Sequence, residues 1–417
     1  MSALHDAAYL LGLTVAAPWW VPRMVRHGKH RTDWRGRLGQ GDGLRASGPG
    51  GRLLVHAVSV GEVNAARGLV ECLAADGDVV LSATTDTGHA RAQAMLGQRV
   101  RVLRYPFDAG FAVERFLDRV KPTAVALMEL EAWPNFIQAC ASRGIPVGVI
   151  NGRLSARSFA RYRLARPVLG GMFARLAFVA AQTQAYADRF VAMGTPADRV
   201  QVTGTMKWDT AEIADAVPGS AELAAELGVD PQRPLVVAGS TAPGEEALLH
   251  AAVPPGVQLL CAPRKPEWFD QAAAAMPGCC RRSRRVAAPA GCDRFLLDTI
   301  GELRRAYALA TVVVVGRSFG LLHGSDMMEP VALGKATLIG PRYGDFQDMG
   351  DDLVQAGGLH VTSAFELARD LTQLLGNAGL RREMAEAGRR MIRQRQGATA
   401  RHACLLRGIM HPAAPHA

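Results

Sequence analysis

The strongest constraint in this chain is a pattern that occurs twice: short, continuously apolar runs rich in β-branched residues alternate with amphipathic stretches of helical period. In the first half the apolar runs lie at 53–58, 79–84, 100–105, 123–128, 146–150 and 177–181, with helical stretches such as 63–75, 109–120 and 133–143 between them. A strand that is apolar on both faces has to be covered on both, so strands alternating with helices predict a parallel sheet between two helical layers. A second series follows at 235–238, 258–262, 295–297, 311–315 and 337–339, and helical stretches at 364–375 and 380–393 close the chain. The reading is α/β: two Rossmann-like, doubly wound domains facing a cleft, with ligands expected at the carboxyl ends of the strands. The boundaries expected are an N-terminal segment (1–40), a first domain (41–209), a polar linker (210–230) and a second domain (231–417) that includes the closing helices.

Composition narrows the function. With 417 residues, 49% of them hydrophobic, the chain is too long for one small core and too apolar for disorder. Its 48 Lys and Arg against 38 Asp and Glu leave a formal charge of +10, which favours an anionic partner. Seven cysteines (Cys72, Cys140, Cys261, Cys279, Cys280, Cys292 and Cys404) fall at scattered spacings with no CxxC pair, which predicts reduced thiols, no disulfide framework and no zinc site. No GxGxxG follows the first strand and no GxxxxGK[ST] occurs, which argues against a nicotinamide dehydrogenase and a P-loop NTPase. No DxD pair is placed to hold a metal on a diphosphate, and no nucleic-acid motif appears.

The N-terminus leans toward a membrane. Residues 7–22 carry no charge and include Trp19 and Trp20, while Arg23, Arg26, Lys29, Arg31, Arg35 and Arg37 follow. Pro18 and Pro22 interrupt the run, so a full span is not expected; a monotopic segment in the headgroup region of an anionic leaflet is. The alternative is a helix packed on its own domain.

Chemistry-bearing residues recur after strand upon strand. The first strand runs into His56-Ala57-Val58-Ser59-Val60-Gly61-Glu62, placing Glu62 in a helix's first turn, where the dipole favours a carboxylate that can take a proton from a hydroxyl. The same position also suits a purely structural helix-terminal carboxylate. Thr84, Thr85 and Thr87 form a hydroxyl-rich turn; Glu129 and Glu131 lie beside Trp133; Asn151 and Arg153 follow the fifth strand. In the second half, Pro263-Arg264, Ile300-Gly301-Glu302 and Gly324-Ser325-Asp326, with Glu329 beyond, offer turn amides to a phosphate and carboxylates to a ribose.

Together these segments resemble the Kdo transferases, glycosyltransferases that move 3-deoxy-D-manno-octulosonic acid from CMP-Kdo onto lipid A precursors. The resemblance runs in order through Trp34-Arg35-Gly36-Arg37-Leu38-Gly39, the Glu62 segment, Thr84 to Gly88, Met128 to Asn135, Asn151 to Ser155, Gly204 to Asp209 with Lys207, Gly239-Ser240-Thr241, Gly244-Glu245-Glu246, Ala262-Pro263-Arg264, Asp298 to Leu303 and Glu329 to Lys335. It implies a GT-B fold, an acceptor-binding first domain at the inner (plasma) membrane's cytoplasmic face and a CMP-sugar-binding second domain. It further implies Glu62 as general base with inversion. Pro263, Arg264, Ile300, Gly301, Glu302, Gly324, Ser325, Asp326 and Glu329 are the implied positions for the nucleotide; Ser59, Gly61, Thr84, Thr85, Thr87, Glu129, Glu131, Trp133, Asn151, Arg153 and Lys207 are those for substrate. The implied partners are CMP-Kdo, a phosphorylated glycolipid (lipid IVA) and the anionic leaflet, with no nucleic acid, no cofactor and no metal.

Four departures qualify the resemblance. Ala242, Lys265 and Arg342 stand where the family carries His, and Asp326 replaces an amide; an ionised Asp326 would repel a phosphate, with Lys265 and Arg342 as the expected offset. Arg281, Arg282, Arg284 and Arg285 are expected to add to the anion-attracting charge. Alternatives are a GT-B transferase using another CMP-activated ulosonic acid or lipid acceptor, and a weakly active protein that binds a lipid surface.

Overall fold

A computed structural model describes residues 18–19, 32–130, 133–286, 289 and 291–410. The apolar 7–22 segment, apart from positions 18–19, and the basic residues Arg23, Arg26, Lys29 and Arg31 lie outside the described residues, as does Glu131. Among the described residues no helix is long and apolar enough to cross a membrane.

Two compact units form, each around a parallel sheet of seven strands. In the first, β1 (Arg52–Ala57), β2 (Asp78–Ala83), β3 (Arg101–Arg104), β4 (Ala124–Met128), β5 (Val147–Gly152), β6 (Phe178–Ala181) and β7 (Val200–Val202) lie in the order β3-β2-β1-β4-β5-β6-β7. Every residue of β1 is buried, and Leu53 aligns with Val79 on one side and Ala124 on the other. In the second unit, β8 (Leu235–Thr241), β9 (Gln258–Pro263), β10 (Cys280–Arg281), β11 (Arg294–Leu296), β12 (Val312–Val315), β13 (Ala336–Ile339) and β14 (His360–Val361) take the order β10-β11-β9-β8-β12-β13-β14. The four valines of β12 are fully buried, each contributing roughly 1.5–3 kcal/mol of transfer free energy. All eleven apolar runs became strands. The additional strands β7, β10 and β14 are two or three residues long, partly exposed and without an apolar run to announce them.

Strand order reverses between β1 and β4 in the first unit and between β8 and β12 in the second. Helices on either side leave a crevice at such a point, and the strands' carboxyl ends open into it. Backbone strain collects there. Glu129 (φ 58°) and Leu130 (φ 102°) after β4, Asn151 (φ 51°) in β5, Ser240 (φ 57°) in β8 and Arg317 (φ 60°) after β12 all adopt the left-handed conformation, which persists in non-glycine residues only where surroundings enforce it.

The chain is divided differently from the sequence expectation. The first unit comprises 1–210 and 396–417, and the second comprises 211–395. Helix Ala398–Met410 lies in the stretch expected to belong to the second domain, beyond the two helices expected to close it, and buries Ala398, Ala403 and Leu406 in the first unit's core beside Leu69, Val70 and Leu73. An amphipathic face specifies that it needs covering, not which of two similar sheets supplies the cover. The expected linker also has structure: it carries helix Ser220–Leu227, which buries Leu223 and Leu227 and packs on helix Leu303–Leu309 in the second unit.

Candidate active site

Glu62 sits in the first turn of helix Val60–Ala74, just past β1. Its carboxylate folds back over the helix start, where Oε2 accepts from the Val58 amide (2.8 Å) and Oε1 from the Ser59 hydroxyl (3.0 Å). This is a capping arrangement, so the structural role foreseen for the residue is real. These donors fix the orientation of the carboxylate.

The threonine turn joins this segment from β2. The Thr85 amide and hydroxyl both donate to Val58 O, each at 3.0 Å, while Thr85 Oγ1 accepts from Gly88 to cap helix Asp86–Leu96. Arg37 and Arg104 donate to Thr84 O at 2.8 and 3.2 Å. Thr87 is exposed in the helix's first turn and makes none of the bonds that tie this cluster together.

His56 organises the turn from beneath. Its Nδ1 lies 3.2 Å from Ser82 O, a group that only accepts, so Nδ1 carries the proton and Nε2 accepts from Thr84 Oγ1 at 3.3 Å. The ring stacks on Tyr105 at 3.7 Å with Trp133 edge-on at 6.2 Å. Burial lowers its pKa to about 3, against a smaller opposing effect of the Ser82 carbonyl. Because the unfolded chain binds this proton near pH 6.5 and the folded chain does not, stability from His56 is complete above pH 6.5 and is lost as pH falls toward 3. Between pH 6.5 and 5 the loss is about 2 kcal/mol, at 1.36 kcal/mol per pH unit. Urea titrations at those pH values are expected to show that loss in the wild type and a correspondingly flatter profile in His56→Asn; equal profiles would contradict it.

At β5 the strained Asn151 is fixed from three directions. Its amide donates to His402 Nε2 (2.8 Å), its Oδ1 accepts from the Met206 amide (3.1 Å) and its carbonyl accepts from Gln182 Nε2 (2.8 Å). Its Nδ2 is buried without a partner, which is costly unless a ligand supplies one. Lys207, next to Met206, is half-buried and forms no ion pair among the described residues. Glu129 and Arg153 meet through the backbone, the Arg153 amide donating to Glu129 O (2.9 Å), and Trp133 leads into helix Pro134–Ser142. Ser59, Gly61, Thr84 and Thr85 therefore gather around Glu62, and Asn151, Lys207, Glu129 and Arg153 around the end of β5.

In the second unit Glu245 is the organising group. Its buried carboxylate accepts four backbone N–H bonds, from Ala242 (2.9 Å), Arg317 (2.7 Å), Ser318 (2.9 Å) and Phe319 (3.0 Å), clamping the loop after β12 to the one after β8. Ser318 in turn holds β13's end, its Oγ accepting from Gly340 at 2.8 Å. Gly324 (φ 83°) packs so tightly that a Cβ would lie 2.7 Å from Tyr343 Cα, and next to it the Ser325 hydroxyl is buried without a partner. Arg264 follows β9, its amide on Thr241 O (3.0 Å) and its side chain exposed and in no ion pair among the described residues. Gly301 (φ 94°) is open to solvent and Ile300 is 71% exposed.

Three electrostatic expectations change. Asp326 is not a bare charge at a phosphate position: its Oδ1 accepts from the Met328 amide (2.8 Å) where helix Met328–Ala332 begins. Lys265 does not offset it, being paired with Glu267 (3.0 Å) and lying over the Trp268 ring. Arg281 and Arg282 are not free to attract anions. Arg281 binds Asp298 and Asp270, both at 2.7 Å, while Arg282 binds Glu302 (3.1 Å) and Glu226. Burial raises the Glu302 and Asp298 carboxyls less than these arginines and the Thr299 and Ser283 hydroxyls lower them, so both end below their usual range. Glu302 is thus already gripped by Arg282. Glu329 goes the other way: burial pushes it up and Asp326 adds to that, against the pull of Arg304 3.7 Å away.

Sequence reasoning passed over His56, Glu245 and His402. His56 and Glu245 lay inside quoted motifs, and a histidine in an otherwise apolar buried strand was a usable signal. Nothing local marked His402, whose partner Asn151 is 251 residues away.

Two seven-stranded parallel sheets, each with polar residues at its switch point, define a GT-B glycosyltransferase fold. The chain superposes on a glycosyltransferase from Rickettsia africae with a TM-score of 0.59, covering 87% of this chain and 99% of that one at 11% identity. It superposes on MurG from Acinetobacter baumannii with a TM-score of 0.53, covering 85% and 98% at 17% identity. Residues 32–210 match the family model described as 3-deoxy-D-manno-octulosonic-acid transferase (kdotransferase). The chain is 33% identical to the 3-deoxy-D-manno-octulosonic acid transferase of Bordetella pertussis, over 94% of this chain and 96% of that protein. It is 31% identical to the transferase of the same name from Haemophilus influenzae, over 85% and 86%. The chain belongs to the 3-deoxy-D-manno-octulosonic acid (Kdo) transferase family.

Proposed function

We propose that the protein transfers Kdo from CMP-Kdo to a hydroxyl of a phosphorylated lipid A precursor, lipid IVA, with inversion, at the cytoplasmic face of the inner membrane. Family membership supports the class of reaction. The observation that carries the mechanism is the Glu62 carboxylate, oriented on both oxygens at the switch point of the first sheet. In this reading the acceptor hydroxyl gives its proton to Glu62 while its oxygen attacks the anomeric carbon of Kdo from the face opposite CMP. The C–O bond to the phosphate breaks as the new glycosidic bond forms. Arg264 and the unpartnered Ser325 hydroxyl meet the charge that grows on the departing phosphate, a role that preorganised donors perform without a metal ion. Asn151 Nδ2 and Lys207 are the donors offered to the acceptor sugar. The uncharged, Trp-bearing 7–22 segment and the basic residues after it support attachment to an anionic leaflet.

The test is mass spectrometry of the product formed from CMP-Kdo and a tetraacylated, bis-phosphorylated disaccharide, with other CMP-activated ulosonic acids in competition. A product carrying Kdo is expected. Transfer of a different ulosonic acid in preference, or binding without turnover, would overturn the reading.

A further inference from the structure

The Trp34–Gly39 motif takes no part in the reaction as proposed, yet it builds one wall of a cavity of about 360 Å³ within the first unit. Four arginines, Arg35, Arg101, Arg104 and Arg119, line this cavity together with His89, against two acidic residues, Asp33 and Asp42. Arg35 and Arg101 are exposed and form no ion pair among the described residues. Arg104 is only 7% exposed; its Nη atoms are taken by Asp86 (2.8 Å) and Thr84 O (3.2 Å), but its Nε is buried without a partner. Arg119 is half-buried and repeats the pattern, Nη1 donating to Gln40 O while Nε is buried and unpartnered. Asp33 is already engaged in capping, accepting from the Gly36 amide at 2.9 Å.

Two glycines make this approach possible. A Cβ on Gly36 would lie 2.7 Å from Arg104 Cβ, and one on Gly41 (φ 133°) would lie 2.4 Å from Arg119 Nη1. The loop thus lets backbone lie directly against two arginines whose Nε atoms are buried without a partner. Several arginines lining one cavity suit the multiple oxygens of a phosphate better than a single carboxylate.

We propose that this cavity is a phosphate-binding site in which the exposed Arg35 and Arg101 grip the oxygens and Arg104 and Arg119 add positive charge from the cavity wall. It shares the Thr84–Asp86 turn with the Glu62 segment: Arg104 holds Thr84 O and Asp86 from one side, and Thr85 holds Val58 from the other. A phosphate bound here is therefore linked through Arg104 to the turn that holds the Glu62 segment. Assigning that phosphate to the acceptor glycolipid rests on the proposed reaction; the site itself does not.

Arg35→Gln/Arg101→Gln is the informative variant, because neither side chain holds the fold, with Arg157→Gln/Arg161→Gln on an exposed helix as a charge-matched control. Three probes distinguish the source of the phosphate: inorganic phosphate by calorimetry, the bis-phosphorylated disaccharide lipid and its dephosphorylated form in neutral detergent micelles, and phosphatidylglycerol vesicles by sedimentation. The double variant is expected to bind inorganic phosphate at least about tenfold more weakly, on the scale of one lost charge-assisted bond, with the control unaffected. An equal loss for the phosphorylated lipid, absent with the dephosphorylated form, assigns the site to the acceptor; a loss confined to phosphate and vesicles assigns it to a membrane headgroup. Unchanged binding of all three probes, or an equal loss in Arg157→Gln/Arg161→Gln, overturns the site. Failure of the proposed reaction would appear separately, as absence of Kdo product from a wild-type protein that still binds phosphate.

Discussion

Glu62→Gln is expected to fold, to bind CMP as the wild type does and to transfer sugar at least about a hundredfold more slowly, the usual scale for losing a general base. The substitution is nearly isosteric, and an amide can still serve the cap: its oxygen accepts from the Val58 amide, and the Ser59 hydroxyl turns to accept from its nitrogen. Proton acceptance is what disappears. Ser59→Ala makes the complementary case, since it keeps the carboxylate and removes one of the two bonds that orient it, so a loss of about tenfold or less is expected. Initial rates with saturating CMP-Kdo, together with calorimetric CMP binding, would measure both. Near wild-type transfer by Glu62→Gln would leave the residue only its capping role.

Glu245→Gln is expected to damage the second unit far more than its neighbour Glu246→Gln does. Four amides point at the Glu245 oxygens, two at each. An amide side chain presents an NH2 group to one of those pairs, leaving two buried N–H groups facing a donor. At about 1–3 kcal/mol for each buried donor left unsatisfied, the cost is roughly 2–6 kcal/mol. Glu246 accepts from a single hydroxyl, that of Thr241, and burial already pushes its pKa up, so an uncharged substitute changes little there. Urea unfolding of the full chain and amide exchange at Arg317, Ser318 and Phe319 would read the difference. Slow exchange at these amides in Glu245→Gln would show that the clamp is not what holds the loop.

The second prediction concerns a residue that the sequence displayed inside a motif but gave no reason to rank. Glu62 could be ranked because its chemistry and its placement are both local: a strand, a short turn and a helix start put a carboxylate in a dipole-favoured position within seven residues. Glu245 looks locally like any acidic residue in a first turn, as does Glu246 beside it. Its partners at 317–319 come from a different strand, and only the adjacency of β8 and β12 brings them within reach. Arg281 and Arg282 were misjudged for the same reason. A run of arginines has a net charge that sequence reports faithfully, whereas the carboxylates that neutralise it, Asp298 and Glu302 among them, arrive through the sheet.

What the sequence by itself determined is the set of parallel strands, the carboxyl-end turns that carry polar residues and the position of Glu62. A parallel strand buried on both faces has to write its burial into consecutive apolar residues, and a helix cap has to be written within one turn of the helix. What only the tertiary structure decided is how those turns are held and which charges remain available. The last helix joins the first unit rather than the second, placing His402 under Asn151, and Gly36 and Gly41 let two arginines converge on one cavity. These arrangements depend on strand order and on close approach between segments far apart in the chain, and neither leaves a periodicity or a spacing to read.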